Sequence, residues 1–406
     1  MVPKGWSVKQ LDSICSKPIS YGIVQTGPDV ANGIPCIRVV DLSKNDMNIS
    51  EMITTTDEIH QSYKKTILQG NELVMALRGE IGLVKLVPNH LVGANITRGI
   101  ARLAPQENIV DSKFFLWAMR SHKVKKDLTR KSGGSALQEI SLTALRKVKV
   151  PVPPLPEQQK IAKILSTWDK AISTTERLIE NSTQQKKALM QQLLTGKKRL
   201  LDDEGQRFKG EWARHPISFV ADVITGNTPS TKNQEYYGGD KLFVSPSDLG
   251  ISKYILETTK RLTDLGFNQT RKVPKGSSLF TCIGSTIGKI GIAGEELATN
   301  QQINSVCAKG NNCGEFIYYQ LLFHAEQIKG SAATQAVPII NKTNFESQLI
   351  FSPASLQEQQ KIATVLTNAD KEIELLEQQL ADLQQEKKAL MQVLLTGKKR
   401  VVVDGQ

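Results

Sequence analysis

The chain has 406 residues, enough for about two to three domains with real cores. Only 39% of it is hydrophobic, and no run approaches the roughly 18 apolar residues of a membrane-spanning helix, which argues against a chain built to cross a bilayer that way. Lys and Arg outnumber Asp and Glu by 52 to 40, and the resulting charge of +12 favours a polyanionic partner through long-range attraction and counterion release.

Residues 1–152 read as β-rich. Strands are predicted at 34–40 and 73–77, and a helix over 111–123. Basic and amide side chains fall in the predicted loops: Arg38, Arg78, Lys85, Arg98, Arg102, Lys131 and Gln138. Residues 153–199 form a helical segment. Pro151, Pro153, Pro154 and Pro156 punctuate the start of a long helix over 157–194, and Gly196 is its stop. Its seam runs Leu165, Trp168, Ile172, Thr175, Ile179, Ser182, Lys186, Leu189, Leu193, a 4,3 alternation sustained over about four heptads. Residues 200–211, with Asp202, Asp203 and Glu204, read as a solvated linker.

A second β-rich segment, 212–353, follows, with strands predicted at 241–244 and 279–283 and a helix over 313–329. Its loops carry Asn227, Thr228, Ser230, Lys232, Asn233, Tyr236, Ser285, Thr286, Lys289, Gln301, Gln302 and Gln335. Residues 354–400 repeat the helical segment, with the seam Leu366, Ala369, Ile373, Leu376, Leu380, Leu383, Lys387, Leu390, Leu394, and 401–406 are a tail.

The repetition is close. Segment 186–199 returns almost verbatim as 387–400, and more than half of 157–199 is identical to 358–400, both opening on Glu-Gln-Gln-Lys-Ile-Ala. Upstream, Trp6 aligns with Trp212, and Asp41-Leu42 with Asp248-Leu249. Gly70, Leu73, Ile81 and Gly82 align with Gly276, Leu279, Ile287 and Gly288. Such a period is too long for a solenoid, so each copy is a whole domain with its helix. A two-fold relation between copies makes the helices antiparallel. Each is about 57 Å long at roughly 1.5 Å per residue. The expected fold class is α+β: two mixed globular domains separated by two long helices in an antiparallel coiled coil, a rod with a globule near each end.

Catalytic signatures are missing. There is no P-loop and no HExxH, and His60, His90, His122, His215 and His324 share no metal-ligand spacing. Cys15, Cys36, Cys282, Cys307 and Cys313 are odd in number and form no CxxC pair, against a disulfide scaffold or structural zinc. No catalytic residue and no metal site is nominated, and the expected setting is a reduced cytoplasm without a membrane partner. What the loops do offer is hydrogen bonding. Asn and Gln pair with adenine and Arg or Lys with guanine in the major groove, while Lys, Ser and Thr hold phosphates. The basic tails Lys197-Lys198-Arg199 and Lys398-Lys399-Arg400 fall past the helix stops, where dipole complementation, phosphate contact and solvation all stay open.

The chain resembles the specificity subunit of type I restriction-modification systems. The resemblance is carried by Pro-Leu-Pro-Glu-Gln-Gln-Lys-Ile at 154–161, Ser-Leu-Gln-Glu-Gln-Gln-Lys-Ile at 355–362 and the twin Leu-Thr-Gly-Lys helix ends at 194–197 and 395–398. Phe208-Lys209-Gly210-Glu211-Trp212, the Gly226-Asn227-Thr228-Pro229-Ser230 turn and Tyr236-Tyr237-Gly238-Gly239 add to it. The first segment lacks that turn and offers Thr26-Gly27-Pro28 as a partial substitute.

The resemblance implies two target-recognition domains, each reading half of a split site in double-stranded DNA, and helical spacers that set the gap. It implies no catalysis by this chain and no cofactor bound to it. S-adenosylmethionine, ATP and Mg are expected on partners: two modification subunits and, through them, restriction subunits. The near-identity of the helix ends is then expected to serve two identical partners. The rod bounds the span at about 17 base pairs, with half-site centres expected roughly 10 base pairs apart. An alternative reading is a coiled-coil scaffold protein with globular protein-binding ends. Steep loss of DNA affinity with salt separates the two.

Overall fold

The computed structural model describes residues 2–44, 46–133, 138–332 and 337–403. The chain divides into two compact units, Met1–Glu176 with Gln378–Gln406, and Arg177–Glu377. Each unit therefore holds one globular segment and half of each long helix.

In the first unit, strands Ser20–Tyr21, Ile100–Leu103, Leu73–Ala76 and Val84–Leu86 make an antiparallel sheet in that order. A second sheet orders Ile53–Thr55, Ile34–Ile37 and Asn95–Ile96, with the last pair parallel. Strand Leu73–Ala76 is buried on both faces, which is why it reads as an unbroken apolar run. Leu73 and Met75 pack with Phe114, Phe115 and Leu165 of the helices. Val74 and Ala76 pack with Ile37 and Ile96 of the other sheet.

The second unit repeats this plan. Its five-stranded sheet runs Ala221–Thr225, Ile303–Ala308, Ser278–Thr281, Ile290–Ala293, Tyr254–Ile255. Its four-stranded sheet runs Lys260–Leu262, Tyr237–Val244, Leu297–Thr299, Lys272–Val273. Phe280 faces Phe316, Tyr319 and Leu366, and Leu279 faces Val244 and Leu297.

Three local expectations need correction. The strand predicted at 34–40 ends at Ile37, and Val39–Leu42 is a short helix, because the Asp41 carboxylate takes the Arg38 backbone N–H at 2.8 Å and closes a capping box. The helix over 111–123 is two, Ser112–Arg120 and His122–Lys131. Ser121 breaks the run and its hydroxyl accepts from the Val124 N–H at 3.3 Å. The helix over 313–329 likewise divides into Gly314–Phe323 and Ala325–Gly330.

The long helices are Leu155–Leu193 and Leu356–Leu394. Every seam position named from the sequence is buried or half-buried, Thr175 and Ser182 included. Within the first unit Glu157 pairs with Arg400 and Asp169 with Lys387. Within the second, Arg199 pairs with Glu358 and Lys186 with Asp370. In both, one residue number rises as its partner's falls, so the helices are antiparallel. The two seam lysines, Lys186 and Lys387, occupy equivalent heptad positions. Polar pairs at such sites hold register.

The repeated sequences have repeated internal duties. Gln158 accepts from the Asp111 N–H at 2.8 Å and donates to Pro153, as Gln359 accepts from Cys313 N–H at 2.9 Å and donates to Pro353. Each helix ends in a left-handed glycine turn, with Lys198 N–H reaching back to Gln192 O and Lys399 N–H to Val393 O. Gly196 and Gly397 there have φ +68° and +73°. The tails find one answer: Arg199 and Arg400 fold back as forks on Glu358 and Glu157.

Candidate nucleic-acid interface

Both units build the same backbone cradle where the two strands of a parallel pair end together. In the first, Ile37 pairs with Ile96 in parallel and the Thr97 N–H donates to Ile37 O at 3.0 Å. In the second, Val244 pairs with Thr299 and the Asn300 N–H donates to Val244 O at 3.0 Å. The next residues are therefore equivalent: Arg38 with Ser245, and Arg98 with Gln301. An adjacent loop adds a third station. Leu77 and Cys282 each donate to the turn, at Gly99 O and Gln302 O, and accept from Ile140 and Ile340. Arg78 and Ile283 follow them and bridge to Glu139 and Ile339.

The loop alignment differs from the expected one. It is one residue longer in the second unit, from Cys282 to Gly288 against Leu77 to Gly82, so strand register places Leu73 opposite Ser278 rather than Leu279. Asn71, with φ +63°, then stands where Gly276 has φ +84°. Thr26-Gly27-Pro28 is likewise not the substitute for the second unit's turn. A Cβ on Gly22 would lie 1.8 Å from Ile96 O, and one on Gly226 2.2 Å from Asn300 O and Thr299 O, so Gly22 holds that place. The clash partner lies far along the chain, which is why no local pattern marks Gly22.

In the first unit Arg38, Arg78 and Arg98 line one open recess of about 660 Å3, floored by Ile23, Val39 and Ile53. Arg38 is held by Asp41 through Nε (3.1 Å) and Nη2 (3.0 Å) and also reaches Glu51 O at 2.9 Å. The hydrogen bonds it donates to the Asp41 carboxylate hold its guanidinium above the ordinary range. Arg78 and Arg98 are exposed. Gln138, exposed, adjoins Glu139 at the rim.

Other candidates lie elsewhere. Lys85 donates to Lys44 O in a separate depression with His90 and Arg120. Arg102 is not a loop residue; it is buried on strand Ile100–Leu103 beside Glu72 at 4.0 Å. Lys131 pairs with Asp127 at 2.6 Å.

The second unit's cradle presents amides and hydroxyls. Thr228 Oγ1 donates to Gln301 Oε1 at 2.6 Å, and Asn300 Nδ2 to Gln302 Oε1 at 3.0 Å. Asn227 donates to Gln269 O and accepts from the Arg271 N–H, pinning the turn. Ser245 donates to Asp248 at 2.7 Å. Burial alone would raise the Asp248 carboxyl, but hydrogen bonds from Thr259 and Ser245 hold it below the usual carboxylate range. Ser285 is exposed and Thr286 half-buried in the loop between Cys282 and Gly288, and Lys289 reaches Pro246 O at 3.5 Å. Ser230, Lys232 and Asn233 are exposed on the segment before Tyr236, which is half-buried. Gln335 lies outside the described residues.

The first unit also carries a basic groove of about 960 Å3 that sequence reasoning missed. Its walls include Arg120, His122, Lys123, Lys125, Lys387 and Lys388 against one acid, Glu80. Lys387 and Arg120 sit over the Trp117 ring at 4.7 and 5.2 Å. The corresponding helix of the second unit, Ala325–Gly330, offers only Lys329 and Glu326. The signal was the run His122-Lys123-Val124-Lys125-Lys126, visible as charge but not as a wall. Replacing Lys123 and Lys125 by alanine is expected to lower the log–log salt slope of duplex binding by about one for each phosphate contact removed. Titrations across salt concentrations check it, and an unchanged slope removes this groove from the interface.

The chain matches a family model described as the type I restriction modification DNA specificity domain, over residues 3–182 and 209–385. It is 26% identical over 228 residues to the EcoBI specificity subunit of Escherichia coli, covering 56% of this chain but only 46% of that protein. It is 25% identical over 422 residues to the putative MjaX specificity subunit of Methanocaldococcus jannaschii, covering 98% and 95%. Among solved structures it resembles the HsdS subunit from Thermoanaerobacter tengcongensis at 17% identity, TM-score 0.51, over 98% of both chains. It also resembles the type I S subunit from M. genitalium at 14% identity, TM-score 0.61, over 97% and 96%. These likenesses establish a shared fold.

Proposed function

The chain belongs to the type I restriction-modification specificity family, and on that premise we propose that its two units each read one half of an asymmetric bipartite DNA site. The observation that carries this reading is the duplicated cradle with unlike side chains: one backbone, two chemistries. Two identical readers would give a palindrome; these give unequal halves. The long antiparallel helices then set the gap between the halves. The chain itself carries out no chemistry. S-adenosylmethionine-dependent methylation of adenine, and ATP- and Mg-dependent restriction, belong to the modification and restriction subunits it recruits.

Docking of two identical modification subunits is supported by the exposed part of the repeat. Lys187, Ala188 and Gln191 are exposed, as are Lys388, Ala389 and Gln392. Core packing explains the buried identities but not these. Replacing Ala188 by glutamate is expected to reduce co-purifying modification subunits from two to one, and adding Ala389→Glu to none. The mass of the assembled complex reads this out. The function as a whole is tested by mapping methylated adenines with and without this chain. One bipartite motif should vanish on deletion; a methylome that does not change overturns the reading.

A further inference from the structure

Three equivalent stations line the two cradles, and all three carry arginine in the first unit: Arg38, Arg78 and Arg98. The second unit has Ser245, Ile283 and Gln301 there. Resting on the half-site reading above, we propose that Arg78 and Arg98 read guanines in the half-site of the first unit. Arg38 does not join them, because Asp41 already occupies two of its nitrogens. Among the described residues no hydrogen bond or ion pair engages the other two side chains, so their planar forks are available for the O6 and N7 of guanine.

Both arginines are pre-positioned. The Arg98 N–H donates to Ile23 O at 2.8 Å, and Arg78 follows the Leu77 N–H that donates to Gly99 O at 2.8 Å. A Cβ on Gly99 would meet Arg78 Nε at 3.0 Å, so that glycine lets the side chain lie across the turn. Phosphate anchoring is the competing role, and the duplication argues against it. Any duplex of any sequence presents phosphates, so a generic anchor would be needed in both copies of the cradle. The second copy has neither charge. The apolar floor of Ile23, Val39 and Ile53 also suits base edges and thymine methyl groups better than a charged backbone.

The test maps adenine methylation in cells that carry the full chain with its modification partners. Arg78→Gln and Arg98→Gln are each compared with the unaltered chain. Each substitution should relax one guanine position, with discrimination falling about 10- to 100-fold. Arg98→Gln, which installs the second unit's residue, should move preference toward adenine. The other half-site and the gap stay unchanged. Arg98→Lys and Arg78→Lys keep the charge and a donor for guanine but lose the planar fork, and should relax the same positions less than the glutamine variants do. Thermal unfolding of the purified complexes verifies that the variants are folded. The proposal is overturned if the motif is unaltered, or if methylation falls uniformly at every site and lysine restores it, as a phosphate contact would. If the unaltered chain supports no bipartite motif, the half-site reading itself fails, a result distinct from an unmoved guanine.

Discussion

Inserting four residues after Glu176 and four after Glu377 will lengthen the gap between the two half-sites by about 2 base pairs while leaving each half-site sequence unchanged. The insertion points fall at the division between units, which the antiparallel pairing places opposite one another in the two helices. Four residues add about 6 Å of helix at roughly 1.5 Å each, close to two steps of about 3.4 Å along the duplex. They turn the helix by about 40° beyond a full turn, and two base pairs turn the duplex by roughly 70°, so both frames advance in the same sense. A four-residue insertion is a stutter, which a coiled coil absorbs by local unwinding. The Lys186–Asp370 and Lys387–Asp169 pairs keep their partners because the insertions lie between them. Methylome mapping of the double insertion reads the outcome, and an unchanged gap would sink the spacer role of the helices.

Replacing Arg199 by alanine will destabilise the second unit by about 3–5 kcal/mol, the usual consequence of leaving a buried carboxylate without its cation. The Glu358 side chain is wholly buried. Arg199 grips it through Nε at 2.5 Å and Nη2 at 2.7 Å, and its Nη1 ties Gly210 O at 2.9 Å. The double variant Arg199→Met, Glu358→Leu should recover much of the loss, since an apolar pair of similar volume removes the stranded charge. Arg400→Ala should cost less, because Glu157 keeps a second donor in Trp6 Nε1 at 3.0 Å and Arg400 itself is more exposed. Urea unfolding of the full chain, followed by calorimetry, separates these three cases. A loss below about 1 kcal/mol for Arg199→Ala would show that water reaches Glu358 and replaces the guanidinium.

The long helices were legible almost to the residue, 157–194 against Leu155–Leu193, because their signals are local: a 4,3 stripe, a proline entry and a glycine stop. Their antiparallel pairing was legible too, since duplication implies a two-fold relation. Strand Leu73–Ala76 was visible as an apolar run. Its equivalent was misplaced by one residue, because the extra residue of the second unit lies in the following loop and only hydrogen-bond register locates it. The motif Glu-Gln-Gln was plain as a repeat, but its duty was not. Glu157 and Glu358 meet arginines from the far end of the other helix, a contact no periodicity encodes.

The same division holds at the candidate interface. Arg38, Arg78 and Arg98 could be named from composition and loop position, and three-dimensional pairing decided that they share one recess. It also decided that Asp41 engages one of them, and that Arg102 belongs to the interior. What is written along the chain is periodic and near-neighbour: duplication, helix length, seam and charge excess. Convergence of loops is set by strand pairing between residues distant in sequence, with the close approach of Gly22 to Ile96 O as its clearest mark. The duplicated chain therefore announced two equivalent domains at once, whereas the difference in what they present became visible only when the folded backbone aligned their stations.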